Sequence, residues 1–343
     1  MDSSLSFFFP LFLFAFIALL LRYLIIFLKK REILDFPNFR SNHKSPIPNC
    51  AGVIVVPSIL ISIFLYIKFG YIGFYPWFHI SLITIILFFT CLFDDLYNLP
   101  IFPRIVIQTL CVVFGLEVFG SNISEFSGNI ILLNNFIKGQ YFIEIFLKFL
   151  VAISWLWLVN LFNFMDGMDG LTSCQVSTFS IGMIILSILG YLSTDETYIG
   201  LILLSASLGF FIWNKPPAKI FLGDVGSIPI GFVISSLIIY NFLENNNFMP
   251  LILLILFHIS DSTITLLKRL IKKKNIFKAH SGHFYQNKIR HGYNHKEVLK
   301  KIFIVNILLV FSSLLYLQFP ILSIMFSCTT IFTVLMWLNK SKK

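Results

Sequence analysis

Charge is scarce in this 343-residue chain: Asp, Glu, Lys and Arg make up 12% of it, about half the share of an ordinary soluble domain. With 57% hydrophobic residues and 41 phenylalanines, the chain lacks the polar side chains to cover a water-exposed surface, so its solvent is lipid. Cysteine is sparse and odd in number. Cys50, Cys91, Cys111, Cys174 and Cys328 lie far apart and mostly inside apolar runs, which excludes a disulfide framework and offers no zinc-ligand spacing. There is no internal repeat, no low-complexity linker and no stretch polar enough for a soluble domain, the longest running from Lys268 to Lys301. Asp, Glu, Lys and Arg are also missing from the middle of the apolar runs, where a transporter would hold its solute.

What is present is a series of apolar runs long enough to cross a bilayer, at 5–28, 49–68, 77–93, 102–120, 146–163, 170–190, 198–213, 226–243, 248–268, 299–318 and 320–338. They predict an all-α polytopic membrane protein of about 11 transmembrane helices, forming one membrane domain over 1–343. Residues 5–28 are too long, and too poor in preceding Lys or Arg, for a cleaved signal peptide, and are expected to remain as the first helix.

Lys and Arg set the orientation, because short loops that carry them stay in the cytoplasm. With the N-terminus outside and the C-terminus cytoplasmic, 22 of the 26 basic residues fall on inward loops and ends. This rule, with attraction to anionic headgroups, accounts for the net charge of +10 without a nucleic-acid partner.

The acids follow the same geography. Asp94 and Asp95 close the third run, Asp166 and Asp169 follow the fifth, Asp224 precedes the eighth, and Asp261 lies towards the inner end of the ninth. Six carboxylates thus converge on the cytoplasmic face. Such a cluster calls for a divalent cation, and hard oxygen ligands select magnesium or manganese over zinc. Magnesium favours one or two carboxylates plus phosphate oxygens, which points to a phosphate-bearing substrate. Lys44, Arg104, Lys215, Lys219, Lys268 and Arg269 are placed to hold further phosphate oxygens.

Five segments carry the chemistry, with the inward loops 29–48, 94–103, 164–170, 214–226 and 269–298 expected to form the active site. RSNHKSPIPNCAG (Arg40 to Gly52) is a proline-rich basic loop. FDDLYNLPIFPRIVIQ (Phe93 to Gln108) sets paired acids before Arg104 and Gln108, one helical turn apart. NLFNFMDGMDGLTS (Asn160 to Ser173) has two Asp-Gly pairs whose glycines allow close approach of a ligand. KPPAKIFLGDVGSIPIGF (Lys215 to Phe232) opens a helix with Gly-Asp-x-Gly-Ser, where free amides attract phosphate and the Asp is placed for its metal. The last, Lys272 to His295, holds His280 and His283 in an HxxH arrangement without a third zinc ligand, which suits phosphate recognition or proton transfer. His291 and His295 read as solvated loop residues, His79 as an outer-boundary residue and His258 as a membrane-packing one.

Taken in order, these segments resemble the polyprenyl-phosphate N-acetylhexosamine-1-phosphate transferases, the glycosyltransferase family 4 superfamily of MraY-type and WecA-like membrane enzymes, over about residues 1–338. The resemblance implies transfer of a sugar 1-phosphate from a UDP-sugar donor to undecaprenyl or another polyprenyl phosphate, with release of UMP and a requirement for Mg2+, with Mn2+ as the alternative. It implies that Asp224 is the magnesium ligand and Phe221 stacks on uracil. Asn163, Asp166 and Asp169 would line the nucleotide pocket, and Asp94 and Asp95 would sit near the reacting phosphates. Lys44, Arg104, His280 and His283 would contact phosphate or position substrate. Ala51 stands in Cys-Ala-Gly where the family often has a glycine pair, and AHSGHFYQ replaces the His-rich HxHH pattern of the muramoyl-pentapeptide branch. That favours the WecA-like branch, which starts O-antigen or other surface glycans of the bacterial inner membrane, over peptidoglycan synthesis; a homodimer is compatible with either. A lipid-linked sugar transporter lacks the midplane charges it would need, and a CDP-alcohol phosphotransferase would need its longer Asp-Gly-x-x-Ala-Arg signature where Gly170 is followed by Leu171-Thr172-Ser173.

Overall fold

The computed structural model describes residues 3–37, 45–120, 123, 140–244, 247–275 and 280–341. Thirteen helices run through them: α1 (Ser3–Lys30), α2 (Gly52–Lys68), α3 (Trp77–Tyr97), α4 (Ile101–Val118), α5 (Gln140–Phe164), α6 (Leu171–Ile188), α7 (Thr194–Asn214), α8 (Asp224–Glu244), α9 (Phe248–Leu254), α10 (Leu256–Ile271), α11 (Phe284–Arg290), α12 (His295–Leu315) and α13 (Pro320–Asn339). Nine of them are long and apolar enough to cross a membrane. The chain is an all-α polytopic membrane protein. One short antiparallel pair, β1 (Leu34–Asp35) with β2 (Ile47–Pro48), interrupts the helical pattern where only a loop was expected.

Two expected spans differ in detail. α2 has 17 residues, about 25 Å at 1.5 Å per residue, and is shorter than a hydrocarbon core. The run 248–268, expected as one helix, is two: α9 and α10 meet at a 71° bend. The bend redirects the half that carries His258, Asp261, Lys268 and Arg269, so these polar groups leave the line of the apolar half.

α8 is the central helix, almost wholly buried and packed against α2, α3, α5 and α9. Its small residues make this possible. A Cβ at Gly52 would stand 2.4 Å from Gly226 N, so α2 and the first turn of α8 touch backbone to backbone. Ala51 does not prevent that approach, because the contact falls on the next residue. Some core hydroxyls bond within their own helix, Ser81 donating to Trp77 O and Thr84 to Ile80 O at 2.8 and 2.7 Å, and others join helices, as Ser177 does with Ser207 at 2.8 Å. The outward faces expose large apolar side chains such as Phe12, Phe102, Phe149 and Phe332, as a lipid-facing surface requires.

Candidate active site

The site is built at the N-terminus of α8. Gly223 adopts φ +78°, a left-handed conformation that turns the chain into the helix. The first amides of a helix lack partners within it, and here a carboxylate from another helix takes them. Asp95 accepts from Asp224 N at 3.2 Å and from Val225 N at 3.0 Å. The loop before the helix is tied down as well. Phe221 N donates to Pro48 O, Ala51 N to Phe221 O and Gly52 N to Leu222 O, each at 2.9 Å, so the proline-rich loop and the Gly-Asp-x-Gly-Ser loop are spliced through their main chains.

With its backbone anchored, the Asp224 side chain points to a cationic neighbour. Arg104 Nη1 lies 3.1 Å from Asp224 Oδ2 and forms a short ion pair with Asp94 Oδ2. Asn163 Nδ2 donates to Asp224 Oδ1 at 2.7 Å and approaches Ser227 Oγ at 3.1 Å. Asp94 Oδ1 accepts from Leu99 N at 3.0 Å, which fixes the turn into α4. Asp94, Asp95, Arg104, Asn163 and Asp224 therefore form one polar cluster. Arg104 Nε is buried in it without a hydrogen-bond partner.

Among the described residues, no group of three or more His, Cys, Asp or Glu side chains is placed to hold a metal ion alone. The donor set fits a hard cation that takes one or two carboxylates, Asp224 with Asp94, and completes its shell with substrate oxygens.

The two Asp-Gly pairs separate. Asp166 accepts from the Thr172 hydroxyl. Desolvation in the packed turn, together with the charges of Asp224 and Asp95, pushes its carboxyl up to about 8 against the pull of Thr172. Asp169 is buried and faces the other way: Oδ2 accepts from Ala218 N at 3.0 Å, and Oδ1 lies 3.0 Å from His295 Nδ1. Asn214 joins this turn to the loop before α8, accepting from Gly170 N at 2.8 Å and donating to Ile220 O at 3.0 Å. Beside Asp169 opens a cavity of about 600 Å3, walled by Ser45, Pro217, Tyr293, His295 and Lys296 among others. That volume is in the range of small-molecule sites.

The two histidines of the HxxH segment also part company. His283 is 2% exposed, with Nδ1 3.2 Å from Asp261 Oδ1, and it caps α11. Asp261 further accepts from Phe284 N and Tyr285 N at 3.0 and 3.2 Å. Tyr285 carries this anchorage onward: its hydroxyl donates to Phe164 O and accepts from Gly167 N, both at 3.1 Å. His280 is the more exposed of the two, its ring 5.1 Å from that of His283. Burial, and then His283 and Arg269, push its imidazole down to about 4, so it meets neutral pH uncharged.

Lys44 lies outside the described residues, although its neighbour Ser45 lines the cavity. Phe221 is partly exposed two residues before Gly223. His295, expected as a solvated loop residue, instead opens α12 against Asp169. Asp261, expected among the surface carboxylates, is fully buried, and Asn160 bonds its own helix at Leu156 O. Sequence reading passed over Cys50, whose thiol lies 3.8 Å from Asp95 Oδ2 and is raised by burial, and then by Asp95, to about 12. It also passed over Thr172, Asn214, Ser227 and Tyr285; the signal was the place of Thr172 just after the second Asp-Gly pair and of Ser227 at the end of Gly-Asp-x-Gly-Ser.

The glycosyl transferase family 4 signature matches residues 77–241, from the start of α3 into the last turn of α8. An undecaprenyl-phosphate alpha-N-acetylglucosaminyl 1-phosphate transferase of Thermotoga maritima is 28% identical over 77% of this chain and 76% of its own. A probable undecaprenyl-phosphate N-acetylglucosaminyl 1-phosphate transferase of Bacillus subtilis is 24% identical over 88% of this chain and 83% of its own. A phospho-N-acetylmuramoyl-pentapeptide-transferase of Streptococcus agalactiae is 41% identical, but over 24% of this chain and 25% of its own. The matched segment contains Asp94, Asp95, Arg104, Asn163, Asp166, Asp169 and Asp224, so the polar cluster at the start of α8 lies within a glycosyl transferase family 4 domain.

Proposed function

We propose that this protein transfers a hexosamine 1-phosphate from a UDP-sugar to undecaprenyl phosphate, releasing UMP, on the cytoplasmic side of a bacterial inner membrane. The observation that carries this reading is Arg104 bridging Asp94 and Asp224 at the N-terminus of α8, with Asn163 on the same carboxylate. The two long relatives support it by their names, and both concern N-acetylglucosaminyl 1-phosphate. UDP-GlcNAc is therefore the proposed donor, and the product the first lipid-linked intermediate of a surface glycan such as O-antigen.

A phosphate oxygen of the acceptor attacks the sugar-linked phosphorus of the donor, and the bond to the UMP oxygen breaks. The acceptor phosphate is ionised at neutral pH, so charge neutralisation and in-line placement outweigh proton removal. Asp224, with Asp94, would hold magnesium, which when bound supplies charge to the diphosphate. Arg104 offers a planar donor to phosphate oxygens once substrate competes for it. Asp95 keeps the amides of Asp224 and Val225 in place.

The test uses purified full-length protein, magnesium, undecaprenyl phosphate and a panel of UDP-hexosamines that includes UDP-MurNAc-pentapeptide, with UMP release measured. Release from UDP-GlcNAc is expected. Release from the pentapeptide donor alone would move the chain to the branch of its partial relatives, and none from any donor overturns the transferase reading. Asp224→Asn is expected to lower turnover at least about 100-fold, and an unchanged magnesium dependence in that variant overturns the metal assignment.

A further inference from the structure

The catalytic cluster leaves one close polar pair unused. His295 stands at the first position of α12, and its Nδ1 approaches Asp169 Oδ1 to 3.0 Å, while the other oxygen of Asp169 accepts from Ala218 N. Both side chains line the cavity of about 600 Å3, whose walls also include Pro217 and Ala218.

The backbone around the pair is held from three directions. Asn294 and Glu297 close a capping box, Asn294 Oδ1 accepting from Glu297 N at 2.8 Å and Glu297 Oε2 from Asn294 N at 3.2 Å. The start of α12 is thereby fixed. Lys288, fully buried, donates to Trp337 O and Lys340 O at 2.6 and 2.9 Å, and its ammonium sits 4.0 Å from the Tyr293 ring. On the other side, Gly170 has φ +74°, and a Cβ there would stand 2.8 Å from Leu299 Cδ2 of α12. The Asp169–Gly170 turn is thus seated directly on the helix that carries His295.

We propose that His295 is a positioning residue for donor binding: it holds one oxygen of Asp169, directs the other to the Ala218 amide, and so sets the cavity wall against which the nucleotide of the UDP-sugar is seated. This rests on the transferase reading. Asp169, with one oxygen on a backbone amide and the other 3.0 Å from the imidazole nitrogen, is confined between them, and the Pro217–Ala218 wall it supports leads within a few residues to Phe221 and Asp224. The effect belongs to the nucleotide and not to the lipid acceptor, because the pair faces the cavity and not the Asp94–Arg104 cluster.

The chemistry supplies a matched set of variants. Asn places an amide nitrogen near the position of imidazole Nδ1, whereas Gln places it nearer Nε2, and Leu removes it. UMP binding to the full-length protein in detergent with magnesium, followed by titration calorimetry, reads the seat without turnover. His295→Gln and His295→Leu are expected to weaken UMP at least about tenfold, as loss of a charge-assisted contact does, with His295→Asn close to wild type. In turnover, the same two variants are expected to raise KM for UDP-GlcNAc by that factor, with kcat and the KM for undecaprenyl phosphate unchanged. Wild-type UMP affinity in His295→Gln, a loss confined to kcat or acceptor KM, or a fall in thermal stability alone overturns the proposal. Wild-type protein that binds UMP but releases none from any UDP-hexosamine defeats the transferase reading and leaves the UMP titrations to decide on His295. Should His295→Leu not fold, the contrast between Asn and Gln carries the test.

Discussion

Asp95 accepts the backbone amides of Asp224 and Val225 across 129 and 130 residues of sequence, and thereby fixes the first turn of the central helix. A carboxylate with both oxygens on amides is an anchor before it is a base. Asp95→Asn keeps one acceptor and turns the other into a donor facing an amide. A hydrogen bond to a charged group contributes about 1.5–3 kcal/mol, so this variant is expected to lose thermal stability in detergent as well as turnover. If turnover alone fell, with the unfolding midpoint unmoved, Asp95 would be a base and not an anchor.

Asp166 gives the protein a pH-dependent stability. Desolvation, and then the charges of Asp224 and Asp95, push its carboxyl from the ordinary 3.8 up to about 8. The folded chain therefore holds a proton through neutral pH that the unfolded chain has released. Its contribution is complete below about 4 and is lost as pH rises through about 8. In metal-free detergent, the unfolding midpoint of wild-type protein is expected to fall more steeply between about pH 5 and about pH 9 than that of Asp166→Asn, which stays neutral throughout. Parallel slopes would show that Asp166 is ionised in the folded protein.

The sequence made the helices and the polar end of the bundle legible, because hydropathy and the position of Lys, Arg and Asp are dictated by the solvent. The pairing within that end was not. Asp94 and Asp95 are neighbours in sequence with opposite tasks, one turned to Arg104 and the other to backbone amides of α8. Asp166 and Asp169 split in the same way. Adjacent residues on a helix or turn point in different directions, and their partners can come from segments more than a hundred residues away. The bend between α9 and α10 was illegible for another reason: the apolar run continues across Ile255, and its one proline, Pro250, stands five residues before the break.

His283 is a motif residue that turns inward. It and Asp261 are both buried, and Asp261 also holds the amides of Phe284 and Tyr285. Asp261→Ala leaves these donors and the imidazole without an acceptor. Breaking a buried pair of this kind costs about 3–5 kcal/mol, and because Tyr285 also binds Gly167, the Asp166 turn is expected to loosen with it. Limited proteolysis within 280–295, compared with wild type, checks this. His280→Gln, at the half-buried and uncharged position, is expected to leave the proteolysis pattern unchanged.

Two main chains touch at the site where Gly52 meets Gly226. A methyl at Gly52 would stand 2.4 Å from Gly226 N, 2.5 Å from Gly226 Cα and 2.7 Å from Val225 C, all backbone atoms that no rotamer can move. Gly52→Ala must push α2 away from the first turn of α8, where Gly52 N also donates to Leu222 O. Overpacking of this kind costs about 1–3 kcal/mol, and the displaced atoms are the ones that place Asp224. Gly70→Ala is the control, since nothing lies within 4 Å of its added methyl and its cost comes from φ +73° alone. Both variants are expected to unfold at lower temperature, but only Gly52→Ala is expected to lose turnover in the folded protein. Full turnover in Gly52→Ala would mean that the α2–α8 contact does not set the position of Asp224.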